Sequence, residues 1–136
     1  MKRKVVLDTN VFVSILKKGR LRRILNLWLD EKFDLVTSDE IIKELFDVLK
    51  RPKFNFSLDE IEELGDLLFE KALVYNPQIK LNVCTDANDN KFVECAVEGK
   101  ADCIISGDPH LLELKEYRGI KILSPAEFIL QYKYKF

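Results

Sequence analysis

Lys4-Val-Val-Leu-Asp-Thr-Asn10 is the stretch that decides the fold. A short apolar run with two adjacent β-branched valines is followed at once by a carboxylate. Thr9–Leu16 then continues in a pattern that reads as a helix or turn. Such a run reads as a buried strand with an acid at its carboxyl end. The same grammar recurs at Cys103-Ile-Ile-Ser106-Gly107-Asp108-Pro109. Working outward, Leu35-Val36, a segment near Leu73–Tyr75 and Ile120–Leu123 are the other strand candidates. Between them lie amphipathic stretches with apolar residues at helical spacing. Leu21–Leu29 has them at 21, 24, 25, 28 and 29, Ile41–Leu49 stops before Pro52, and Leu58–Leu73 and Asp89–Glu98 follow, with short helices after Pro109 and Pro125. Alternating strands and helices predict an α/β domain, a parallel sheet with helices on both faces. In such sheets ligands gather at the carboxyl ends of the strands.

The 136 residues suit one domain, 1–136, with a core that needs no staples. Charged residues make up 33% of the chain, mainly through Lys and Glu, a pattern shared by heat-adapted proteins and by well-solvated surfaces. No apolar run is long enough for a membrane span, and the basic start meets Asp8 too soon for a signal peptide, so a cytoplasmic location is expected. Cys84, Cys95 and Cys103 are odd in number, have no CxxC spacing and read as core. One histidine, His110, cannot build a His-rich zinc site or a two-histidine acid–base pair, and no phosphate-binding GxxxxGK[ST] occurs. The net charge of -1 lacks the basic footprint of many nucleic-acid binders.

The acids carry the functional argument. Asp8 and Asp108 stand at strand ends, where each also reads as a helix cap. Glu44 lies beside the apolar stripe of its helix, either snorkelling to solvent or meeting a partner. Asp86 and Asp89 share an acidic turn ahead of a helix. Two caps are not needed there, so at least one of the pair lacks a structural reason. Acids from separate segments converging on one rim repel strongly unless they share a cation. An oxygen-only set suits Mg²⁺ or Mn²⁺, ions that also bind phosphate oxygens and activate water.

In order and spacing, Val5-Val-Leu-Asp8-Thr-Asn10, Ser38-Asp-Glu-Ile-Ile-Lys-Glu44-Leu, Asp86-Ala-Asn-Asp89-Asn-Lys-Phe-Val-Glu-Cys-Ala96 and Ala101-Asp-Cys-Ile-Ile-Ser106-Gly-Asp108-Pro-His-Leu-Leu112 resemble the PIN domain. The resemblance covers essentially the whole chain. It is nearest to the branch of VapC-like ribonucleases that serve as toxins of toxin–antitoxin pairs, and Ile122-Leu-Ser-Pro125-Ala-Glu-Phe128 fits that branch too. The resemblance implies five parallel strands in the order 3-2-1-4-5, with Asp8 facing Asp108. It implies that Asp8, Glu44, Asp89 and Asp108 are the catalytic metal ligands, with Asn10 and Ser106 as polar supports. Many relatives have Thr where this chain has Ser106. Asp86 is expected behind the ligands or at a second ion.

The implied activity is Mg²⁺- or Mn²⁺-dependent hydrolysis of RNA phosphodiesters. Because the acids repel RNA, phosphate contacts are expected from Lys17, Lys18, Arg20, Arg22 and Arg23. A homodimer is expected, as is common in the family, from the exposed-looking Trp28, Phe54, Phe56, Tyr132, Tyr134 and Phe136. An antitoxin is the expected regulator, its basic side chain competing with the metal for the acids. Two other readings compete. One is a PIN-like module that binds RNA or protein without cutting. The other is a receiver-like signalling domain using Lys121, which would require an acceptor aspartate where Tyr75-Asn76-Pro77 stands.

Overall fold

The computed structural model describes residues 2–135, with side chains through Gln131. The chain runs β1 (Arg3–Leu7), α1 (Thr9–Leu16), α2 (Arg22–Leu29), β2 (Phe33–Thr37), α3 (Asp39–Leu49), α4 (Leu58–Lys71), β3 (Leu73–Val74), α5 (Asn90–Glu98), β4 (Cys103–Ile105), α6 (Pro109–Leu112), β5 (Glu116–Tyr117), β6 (Ile120–Leu123) and α7 (Pro125–Lys135). Short 3-10 turns, Pro52–Phe54 and Ala87–Asp89, precede α4 and α5.

Six strands form the sheet, in the order β3-β2-β1-β4-β6-β5. This corrects the expectation of five strands in the order 3-2-1-4-5. All neighbours are parallel except β5, which pairs antiparallel with β6 through Glu116 opposite Lys121 and Tyr117 opposite Ile120. The added strand is the first arm of a tight turn, with Arg118 and Gly119 both at positive φ. Without that arm the parallel strands keep the expected order. β3 lies at the edge, which excludes the receiver-like order, where the third strand is central.

The strand pleat divides the interior into two cores. Val5 and Leu7 of β1, with Cys103 and Ile105 of β4, face a cluster built with α1, α2, α3, α4 and α7. Val6, Val36, Ile104 and Ile122 point the other way, against Phe92, Val93, Cys95 and Ala96 of α5 and Leu111 of α6. α5 sits very close to the sheet. A Cβ on Gly99 would come within 2.6 Å of Val36 Cγ1 and 3.0 Å of the Tyr75 ring.

Trp28 belongs to the first core, 2% exposed and edge-on to Phe12 with ring centroids 6.1 Å apart. It is therefore not the surface residue expected, and Phe54 and Phe56 are partly buried against the same core. The side chains of Tyr132 and Tyr134, and Phe136 altogether, lie outside the described residues. Among the described residues the exposed large apolar side chains are Phe69 (94%) and Leu58 (80%) on α4, with Leu130, Val74 and Leu29 less so. Among the described residues no helix is long and apolar enough to cross a membrane.

Candidate active site

β1 and β4 are neighbours, so Asp8 and the Ser106-Gly107-Asp108 segment emerge side by side at the carboxyl edge of the sheet. Asp8 caps α1, its Oδ1 accepting from the Val11 amide at 2.8 Å, while Ser106 Oγ donates to its Oδ2. Ser106 is fully buried and its Oγ also accepts from the Asp108 amide at 3.0 Å. Asp108 caps α6 through the His110 amide at 2.9 Å. Asp86 caps the 3-10 turn Ala87–Asp89 through the Asn88 amide at 3.0 Å. The structural role considered for these three acids is therefore real.

Asp89 is different. It occupies the cap position of α5 yet makes no capping bond, is only 7% exposed, and its Oδ2 is buried without a hydrogen-bond partner. A helix cap contributes ~1 kcal/mol, whereas burying an unpaired carboxylate costs on the order of several kcal/mol. Helix stability cannot account for Asp89. Burial, a hydrogen bond with Asp108 and the charges of Asp108, Asp86 and Asp8 push its carboxyl up to about 7. Burial likewise raises Asp8, with a further push from Asp108, against the opposing bonds from Ser106 and Val11. These are groups waiting for positive charge.

Glu44, from α3, lies at the same cleft in the opposite electrostatic condition. Its Oε2 accepts from Thr9 Oγ1. Its Oε1 accepts from Asn88 Nδ2 at 3.0 Å and Lys91 Nζ at 2.9 Å. Burial alone would raise this carboxyl, but the three hydrogen bonds and the Lys91 charge hold it below its ordinary value.

Asp8, Thr9, Asn10, Glu44, Val48, Arg51, Asn88, Asp89, Phe92 and Asp108 enclose a cleft of about 180 Å³. All four predicted ligands and the exposed Asn10 line it, while Ser106 lies behind Asp8. Asp86 does not line it and acts on Asp89 through its charge. Oxygen donors alone, including one orphaned carboxylate oxygen, fit a hard divalent cation that keeps part of its water shell. Among the described residues no group of three or more His, Cys, Asp or Glu side chains is arranged as a finished metal cage.

The basic segment after α1 does not reach this cleft. Lys17, Lys18, Arg20, Arg22 and Arg23 are exposed and none lines it. Arg22 donates to the Leu16 carbonyl at 2.9 Å, and Lys17 stands over the Phe54 ring. Arg51, just beyond α3, is the cation at the cleft wall, and the sequence reading missed it. It also missed Thr9, Asn88 and Lys91, and the loop anchors Asn90 and Glu94. Asn90 Oδ1 accepts from the amides of Val83 and Cys84, and Glu94 Oε2 from that of Leu81. Lys91 lies in the first turn of α5, one turn before buried Cys95.

All three cysteines are buried. Burial pushes the Cys84 thiol up to about 11 and those of Cys95 and Cys103 to about 12, so none supplies a thiolate. A separate apolar groove of about 240 Å³ runs between α2 and α4, lined by Leu16, Leu25, Leu29, Phe56, Leu64 and Leu67, with Arg22 and Glu60 also contributing.

Comparison with known proteins agrees with this geometry. Residues 4–110 match the PIN-domain family model. The chain is 35% identical to the uncharacterized protein MJ1680 of Methanocaldococcus jannaschii over 146 aligned positions, covering 98% of this chain and 94% of that protein. The fold is similar to that of FitAcB from Neisseria gonorrhoeae, with a TM-score of 0.53 and 16% identity over 90% of this chain and 98% of that one. With the family model matching most of its length and a relative aligned almost end to end, this chain belongs to the PIN-domain family.

Proposed function

We propose that residues 1–136 act as one PIN domain, a Mg²⁺- or Mn²⁺-dependent endoribonuclease, and that it serves as the toxin of a toxin–antitoxin pair. The observation that carries this reading is Asp89, a buried carboxylate with an unpartnered oxygen, raised by Asp108, Asp86 and Asp8. Asp8, Asp89 and Asp108 would hold the cation, and Glu44 lines the wall of the same cleft. When bound, such an ion lowers the pKa of water and offsets charge developing on a phosphoryl group. The protein's own part is positioning. Ser106 and the Val11 amide fix the Asp8 carboxylate, and the Ser106 hydroxyl orders the Asp108 backbone. Arg51, at the cleft wall, would meet a substrate phosphate and offset repulsion from the acids. No side chain is needed as a covalent nucleophile.

Control of such an activity by an antitoxin would use two features. The apolar groove between α2 and α4 accepts a short apolar segment, and the acids accept a guanidinium or ammonium in place of metal. Self-association into a homodimer would cover the exposed Phe69 and Leu58, which lie three helical turns apart on one face of α4. A module that binds without cutting is the second reading. The presence of all four acids at one cleft favours catalysis.

The test is cleavage of mixed RNAs by purified protein with Mn²⁺, with chelator, and with Asp8→Asn. Metal-dependent cutting lost in Asp8→Asn is expected, and intact RNA in every arm would defeat the nuclease reading. Growth arrest on expression, relieved by the product of the neighbouring gene, is expected of a toxin. Arrest that the neighbour does not relieve would leave a nuclease without the toxin role.

A further inference from the structure

Lys91 is an unusual lysine. It sits in the first turn of α5, where the helix dipole disfavours a cation, yet it is only 8% exposed. Its ammonium donates to Glu44 Oε1 at 2.9 Å and to Asn88 Oδ1 at 2.8 Å, and it stands 5.6 Å from the centroid of the Phe92 ring. Asn88 closes the triangle by donating to the same Glu44 oxygen. Thr9 occupies the other. Glu44 therefore has a donor on each carboxylate oxygen and a full opposing charge, all supplied by the protein. Asp89, by contrast, has an oxygen with no partner, and Asp8 and Asp108 add negative charge beside it. Lys91 does not line the cleft, so its role passes through Glu44.

Resting on the metal-dependent reading above, we infer that Lys91 is a positioning residue, a built-in cation that withholds Glu44 from direct coordination and leaves Asp8, Asp89 and Asp108 to hold a single divalent ion. The ammonium neutralises the carboxylate that a second ion would otherwise need. Glu44 then shapes the cleft wall without binding metal. Removing Lys91 while keeping its bulk leaves Glu44 with only the neutral donors Asn88 and Thr9, and so leaves its charge uncompensated and open to another ion.

Mn²⁺ titrated into metal-stripped protein, followed by calorimetry and by the electron paramagnetic resonance of free Mn²⁺, reads the stoichiometry without RNA or activity. One ion per chain is expected in the native protein. Asp8→Asn and Asp89→Asn should weaken it by about tenfold or more, and Glu44→Gln should leave affinity within about twofold. Lys91→Met should take up a second Mn²⁺, and the double variant Lys91→Met/Glu44→Gln should lose it again. Two ions in the native protein, or Glu44→Gln weakening binding as much as Asp89→Asn, would overturn the inference while leaving the metal-dependent reading standing. If Asp8→Asn and Asp89→Asn leave Mn²⁺ binding untouched, that reading fails and this one with it. Should Lys91→Met fail to fold, the comparison of Glu44→Gln with Asp89→Asn decides by itself.

Discussion

Ser106 Oγ donates to Asp8 Oδ2 across the boundary between β1 and β4, joining residues 98 positions apart in the chain. The same hydroxyl accepts from the Asp108 amide, so one buried atom sets the geometry of two of the site's acids. Ser106→Ala strips a donor from a buried carboxylate and an acceptor from a backbone amide. The expected loss of stability is about 1–3 kcal/mol. Urea denaturation at neutral pH would measure it, and an unchanged midpoint would show that the bond contributes nothing.

Asp8→Asn separates catalysis from folding. The amide retains an oxygen for the Val11 cap but removes a negative charge whose carboxyl burial and Asp108 both raise. Cleavage should fall by at least roughly a hundredfold, about 2.7 kcal/mol in barrier. The melting temperature, followed by circular dichroism, should hold or rise. Full activity would remove Asp8 from the reaction.

The pH dependence follows from Asp89. Its folded carboxyl, at about 7, lies above the ordinary value of 3.8, so between those pH values the folded state holds a proton that the unfolded state releases. That contribution to stability is complete below about pH 4 and is lost as pH rises through 7. Glu44, lowered on folding, works in the opposite sense and weakens the protein only as pH falls through the acid range. Metal-free protein should therefore melt at a lower temperature at pH 8 than at pH 6. Mn²⁺ should restore more at pH 8 than at pH 6, and Asp89→Asn should flatten the difference. Equal melting temperatures of metal-free native protein at the two pH values would contradict the shift.

Arg51→Ala should raise KM for RNA while leaving kcat within a few-fold. It should also reduce the slope of log affinity against log salt by about one, the signature of one lost phosphate contact. Replacing Arg22 or Arg23 should do less, because neither lines the cleft. An unchanged salt slope in Arg51→Ala would remove it as a phosphate ligand.

Phe69→Glu places a charge on the most exposed large apolar side chain among the described residues, on a face of α4 shared with Leu58. If α4 forms the dimer face, sedimentation at micromolar concentration should show dimeric native protein and monomeric variant. Monomer in both would end that assignment.

What could be read beforehand was local. Asp8 and Asp108 each follow a short apolar strand within a few residues, so their place at the sheet edge is written in adjacent letters. Glu44 was legible through helical spacing. The groups that define its state were not, because Thr9 lies 35 positions away and Lys91 lies 47, and no period links them. Of the acidic turn, only the fold showed that Asp86 caps while Asp89 does not. β5 escaped because two residues carry no alternation. Trp28 was misjudged although it shares a helical stripe with Ile24 and Leu25, both in the core.

The two outermost strands, β3 and β5, are each only two residues long. A neighbouring chain therefore finds almost no run of unpaired backbone on which to zip a further strand. The molecule is thereby guarded against growing into open-ended β-fibrils. Any contact between copies would then fall to side-chain surfaces on the helices, where a single charged substitution could dissolve it.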